Sequence, residues 1–110
     1  MYAYKEKYTL DFSTIKNWDE FHKIIKNELD FPDYYGKNWD ALWDCLTDIV
    51  NTDKIFYVEI IGAEVLEQKW PGTLGTLVEI FKDLKHWEDD FVCDYVKVEI
   101  VYGEARYDIT

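Results

Sequence analysis

Residues 31–48 read Phe31-Pro32-Asp33-Tyr34-Tyr35-Gly36-Lys37-Asn38-Trp39-Asp40-Ala41-Leu42-Trp43-Asp44-Cys45-Leu46-Thr47-Asp48. At about 100° per residue they open as a turn and continue as a helix with two opposite stripes. Leu42, Cys45, Leu46 and Ile49 follow the i, i+3, i+4, i+7 pattern of a face that goes to a core. Asp40, Trp43, Asp44 and Thr47 keep the same spacing, rotated by roughly 180°. A helix at the edge of a small domain cannot bury both sides, so the second stripe is expected to face outward. An exposed tryptophan among carboxylates reads as a contact surface for something basic.

The elements on either side define the fold class. Pro32 and Gly36 bracket the loop before this helix, and Asn38 is its expected N-cap. Upstream, Tyr2 to Phe12 alternates as a first strand. Asn17 with Glu20 is a capping box that starts a helix with Phe21, Ile24, Ile25 and Leu29 on one face. Downstream, Ile55 to Ile61 is a nearly continuous apolar run, the pattern of a central buried strand. Ala63 to Trp70 reads as a short helix stopped by Pro71-Gly72. Thr76 with Glu79 reads as a second capping box, opening a helix that buries Leu77, Ile80, Phe81 and Leu84. Asp94 to Tyr102 sets Val96, Val98, Ile100 and Tyr102 against Tyr95, Lys97, Glu99 and Val101, a half-buried strand. The order β-α-α-β-α-α-β is α/β, with a small three-stranded parallel sheet packed by about four helices. Gly103 to Thr110 is available as an extra antiparallel C-terminal edge strand. Residues 1–110 make one domain, with no repeat, linker or low-complexity segment.

Charge narrows the function classes. The 110 residues carry 12 Lys and Arg against 23 Asp and Glu, a formal charge of −11. Direct binding to nucleic acid or to an anionic membrane is therefore disfavoured, because both would repel the chain. From Glu28 to Asp53 there are seven acids and one base, Lys37, so over half of the net charge surrounds the two-striped helix. Met1 to Leu10 is charged and alternating, and no apolar run approaches the roughly 18 residues of a membrane span. A protein that is neither secreted by a signal peptide nor membrane-spanning is expected. Cys45 and Cys93 lack metal-ligand spacing and are expected to be reduced and packed as small hydrophobes.

Asp40 taken singly is a first-turn acid favoured by the helix dipole, and Asp44 a solvated mid-helix acid. With Asp48 they form a row of like charges at four-residue spacing, mildly self-repelling, which a cationic partner would relieve. Catalysis is not expected. Paired carboxylates serve glycosidic chemistry or Mg²⁺ only in a cleft with converging ligands, and a convex helix stripe offers none. His22 falls within the first helix, packed or solvated, and His86 near the end of the last. No nucleophile signature, phosphate-cradling glycine loop or Cys-x-x-Cys is present, so no catalytic residue, metal or cofactor is assigned.

The segment Tyr34-Tyr35-Gly36-x-Asn38-x-Asp40-Ala41-Leu42-Trp43-Asp44-Cys45-Leu46-Thr47 resembles the inhibitory loop and helix of the barstar family, intracellular inhibitors of barnase-type ribonucleases. Weaker similarity runs from Glu6 to Val50, including His22, and returns at Val92-Cys93-Asp94. The resemblance implies a barstar-like fold, a cytoplasmic location, and a one-to-one complex with a small basic secreted ribonuclease. The residues placed at the partner are Tyr34, Asn38, Trp39, Asp40, Trp43, Asp44, Thr47, Asp48 and Asp83. It assigns Asp44 the central phosphate-mimicking role, Asp40 a flanking arginine and Tyr34 the partner's catalytic imidazole. Trp39 stands where barstar has a leucine, and either widens the aromatic patch or turns inward. Asp83 stands where barstar has a glutamate, and Asp48-Ile49 where it has Gly-Trp. Asp48 suits a related nuclease with one more basic contact. The alternative reading is a barstar-fold immunity or binding module for a different basic toxin or a regulatory protein that is not a ribonuclease.

Overall fold

The computed structural model describes residues 5–32, 35–36, 38–49, 55–85 and 96–109. Among these the elements are β1 (Tyr8–Asp11), α1 (Trp18–Glu28), α2 (Trp39–Ile49), β2 (Phe56–Ile61), α3 (Ala63–Lys69), α4 (Thr73–Lys85), β3 (Val96–Tyr102) and β4 (Ala105–Asp108). The sheet order is β1-β2-β3-β4. The first two pairings are parallel, each joined by a pair of helices as a crossover requires. β3 and β4 are antiparallel, with Tyr102 opposite Ala105 and Glu99 opposite Asp108. Gly103, at φ 61°, supplies the positive dihedral that so tight a hairpin turn demands.

Register sorts the two sheet faces. Tyr8 and Leu10 of β1 align with Val58 and Ile60 of β2, which align with Val98 and Ile100 of β3. All are buried, and together with Phe21, Ile25, Leu42, Leu46, Leu77, Phe81 and Leu84 from the helices they form the core. Each fully buried Leu or Phe contributes about 1.5–3 kcal/mol. The opposite face carries Thr9, Tyr57, Glu59, Lys97, Glu99 and Arg106. Glu59 is only 6% exposed there. Arg106 Nη1 lies 2.6 Å from its carboxylate and Lys7 Nζ 3.5 Å, while Tyr57 donates to Glu99. The guanidinium hydrogen bond, aided by Lys7, holds the Glu59 carboxyl below its ordinary range against the opposing effect of burial.

Local chemistry explains the element ends. Asn17 Oδ1 accepts the Glu20 N–H at 3.0 Å and caps α1, while Glu20 Oε1 reaches past Asn17 to accept the Lys16 N–H at 3.1 Å. Gly62, between β2 and α3, has φ 76° and no room for a Cβ, which would lie 2.3 Å from the Ser13 nitrogen. Glycine is required there on both counts.

Three expectations change. The capping box at Thr76 and Glu79 does not form: α4 begins at Thr73, and Thr76 Oγ1 bonds back to the Gly72 carbonyl at 3.2 Å from inside the helix. β1 begins at Tyr8, and Tyr102 is 42% exposed because it sits past the end of the covered face. The antiparallel edge strand that Gly103 to Thr110 offers does form, as β4, beside three parallel strands. The expectations for Tyr2, Cys93, Asp94, Tyr95 and His86 lie outside the described residues.

Candidate functional site

Asn38 builds the start of α2. Its Oδ1 accepts the Ala41 N–H at 2.8 Å, its carbonyl accepts the Leu42 N–H at 3.0 Å, and its Nδ2 donates to the Gly36 carbonyl at 3.3 Å. The side chain so placed caps the helix and ties it to the turn before it. Leu42, Cys45 and Leu46 then enter the core, and the Ile49 side chain lies outside the described ones. Asp40, Asp44 and Asp48 are exposed, one per turn along the other side. None of the three carboxylates has an ion-pair or hydrogen-bond partner among the described residues. Thr47 is half-buried, and its Oγ1 donates to the Asp44 carbonyl at 2.9 Å. Asp83 is exposed on α4, the helix that packs beside α2. Tyr34 lies outside the described residues.

The two tryptophans depart from a purely outward stripe. Trp43 is half-buried and packs against the core rather than standing free. It lies about 110° from the centre of the buried stripe, on its flank, whereas Asp40 and Asp44 lie nearly opposite that centre. Trp39, at about 70°, turns inward. Its ring meets Phe21 at 5.7 Å, His22 at 6.1 Å and Trp18 at 6.2 Å. Trp18 stacks on Phe21 at 4.7 Å and meets Trp70 edge-on at 5.4 Å. Angular position therefore separates Asp40 and Asp44 from the aromatic rings beside them.

The loop before α2 is held from inside. Tyr35 is buried, its amide donating to the Pro32 carbonyl at 3.0 Å and its ring packing on Phe31 at 5.2 Å. Its hydroxyl lies 2.8 Å from Nδ1 of His22, itself buried. Burial pushes the Tyr35 phenol well above its ordinary value, and the neighbouring Cys45 adds to the shift. No motif in the sequence announces this pair, thirteen residues apart, because the contact exists only after α1 folds against the loop.

Among the described residues no group of three or more His, Cys, Asp or Glu is placed to hold a metal ion, and no helix is long and apolar enough to cross a membrane. A row of exposed carboxylates with no partner among the described residues, beside aromatic rings, can bind cationic groups.

The chain belongs to the barstar family: the family model described as barstar (barnase inhibitor) matches residues 6–99, which include β1 to β2, all four helices and the start of β3. It is also similar to a Bacillus subtilis (strain 168) protein described as "Putative ribonuclease inhibitor YrdF", 51% identical over 45 residues. That stretch is 41% of this chain and spans 50% of the relative's length. The family's description is that of an inhibitor. β4 lies beyond the matched residues.

Proposed function

We propose that this protein inhibits a small, basic, secreted ribonuclease of the barnase type, blocking its active site with the acidic face of α2. The observation that carries the reading is the exposed row Asp40, Asp44 and Asp48, whose charge no group among the described residues answers, in a chain of a barnase-inhibitor family. A ribonuclease gathers Arg, Lys and His to bind phosphate. A carboxylate delivered there imitates the phosphate and accepts charge-assisted hydrogen bonds, bidentate where arginine is the donor.

Asp44 fills the central position and Asp40 a flanking arginine, while Asp48 takes a further basic contact. Asn38 and Thr47 add polar contacts, and Tyr34 lies against the catalytic imidazole. Trp43 lends the edge of its ring, Trp39 supports the patch from beneath, and Asp83 reaches in from α4. The inhibitor performs no chemistry and needs no cofactor. It acts as an antidote in the cytoplasm of a cell that makes or meets the nuclease.

Titrating the protein into barnase-type ribonucleases and following RNA cleavage tests this. Activity with the cognate enzyme should fall to zero at one equivalent. Undiminished cleavage by every such nuclease tried contradicts the reading, and recovery from extracts of a basic partner without hydrolytic activity replaces it with a binding module of another kind.

A further inference from the structure

We infer that His22 is a positioning residue: from α1 it fixes the turn through which α2 presents its carboxylates. This rests on the reading of α2 as the contact surface. His22 is 3% exposed, among Phe21 and Ile25, where an apolar side chain would fill space without desolvating an imidazole. A buried polar ring is costly unless bonded, and what it adds over leucine is direction.

That direction is specific here. The imidazole bonds the Tyr35 hydroxyl at 2.8 Å on one side of the turn, and its ring meets that of Trp39 at 6.1 Å on the other. One side chain of a different element thus contacts the chain on either side of Gly36 and Asn38. Asn38 then caps α2 through the amides of Ala41 and Leu42. A shift of Tyr35 would pass through Gly36 and Asn38 to the first turn of α2 and swing Asp40 and Asp44. Bidentate contacts tolerate little misplacement, so holding the turn before the partner arrives lowers the ordering cost of binding.

Tyr35→Phe deletes one oxygen and keeps the ring. His22→Leu removes the bond from the other side, and His22→Gln offers an amide in its place. In the free protein, Tyr35→Phe should speed hydrogen exchange at the Tyr35, Ala41 and Leu42 amides at least about threefold relative to β2. In complex with an inhibited nuclease, Tyr35→Phe and His22→Leu should dissociate at least about threefold faster, with association within about twofold and partial recovery by His22→Gln. Unchanged local exchange, or exchange that rises equally in β2, overturns the inference. So does an unchanged dissociation rate. If exchange rises locally while the parent inhibits no nuclease, the inhibitor reading fails and the hold on the turn stands.

Discussion

Asn38 and Asn17 show how much single residues can announce. Each is a short polar side chain just before an apolar period, and each caps its helix as the spacing requires. Asp40 and Asp44 were equally readable, since their angular distance from Leu42 and Leu46 leaves them only solvent. Trp39 and Trp43 were harder to read. A large ring on the flank of a buried stripe can fold either way, and the Phe21, His22 and Trp18 rings that draw Trp39 inward belong to another helix. Tyr35 yields a prediction at this scale. Its folded phenol titrates above the ordinary value of 10.0, so above that pH the native state keeps a proton that the unfolded chain releases. Stability must then fall as pH rises beyond about 10. Unfolding free energies measured across that range should decline more steeply for the parent than for Tyr35→Phe.

Helices and strands were legible where period and punctuation agree, as in α1 and in β2 between its two neighbours. Ser/Thr-x-x-Glu is weaker evidence, because a threonine inside a helix can bond back to the preceding turn, as Thr76 does. Glu59 was hidden inside an apolar run. Its partners Lys7 and Arg106 arrive from β1's approach and from β4, and only the register brings them together. Arg106 also lies 3.5 Å from Glu99, so β4 is fastened to two strands by one side chain. The folded Glu59 carboxyl titrates below its ordinary value of 4.5, which makes its contribution fully present above that pH and progressively lost as pH falls through the folded value. Arg106→Ala should lower the stability of the protein near neutrality, where the Glu59 carboxylate it answers is ionised. Denaturation midpoints of parent and variant should converge as pH drops below about 4.5. A gap independent of pH would mean that the arginine acts by packing alone.

For the whole molecule, the class and the topology of the parallel strands were readable because each crossover carries its own helix pair. The β4 hairpin rested on little more than a glycine and a few alternating residues. The net charge of −11, concentrated around α2, gives a long-range field. Encounter with a basic partner should be steered by it, so the association rate should fall as salt rises while dissociation changes much less. A rate flat between low and physiological salt would reduce the acidity to a solubility feature. The barnase–barstar pair is itself a reference case for these electrostatic magnitudes, so their transfer here is an expectation from kinship. The sharpest measurement sets the affinity of Asp44→Ala for the nuclease beside its unfolding free energy. Inhibition through α2 requires a loss of at least about 2 kcal/mol in binding, more than for Asp40→Ala, with folding stability intact. Parental affinity in Asp44→Ala, or a loss that only mirrors unfolding, would show that this helix face is not the inhibitory surface.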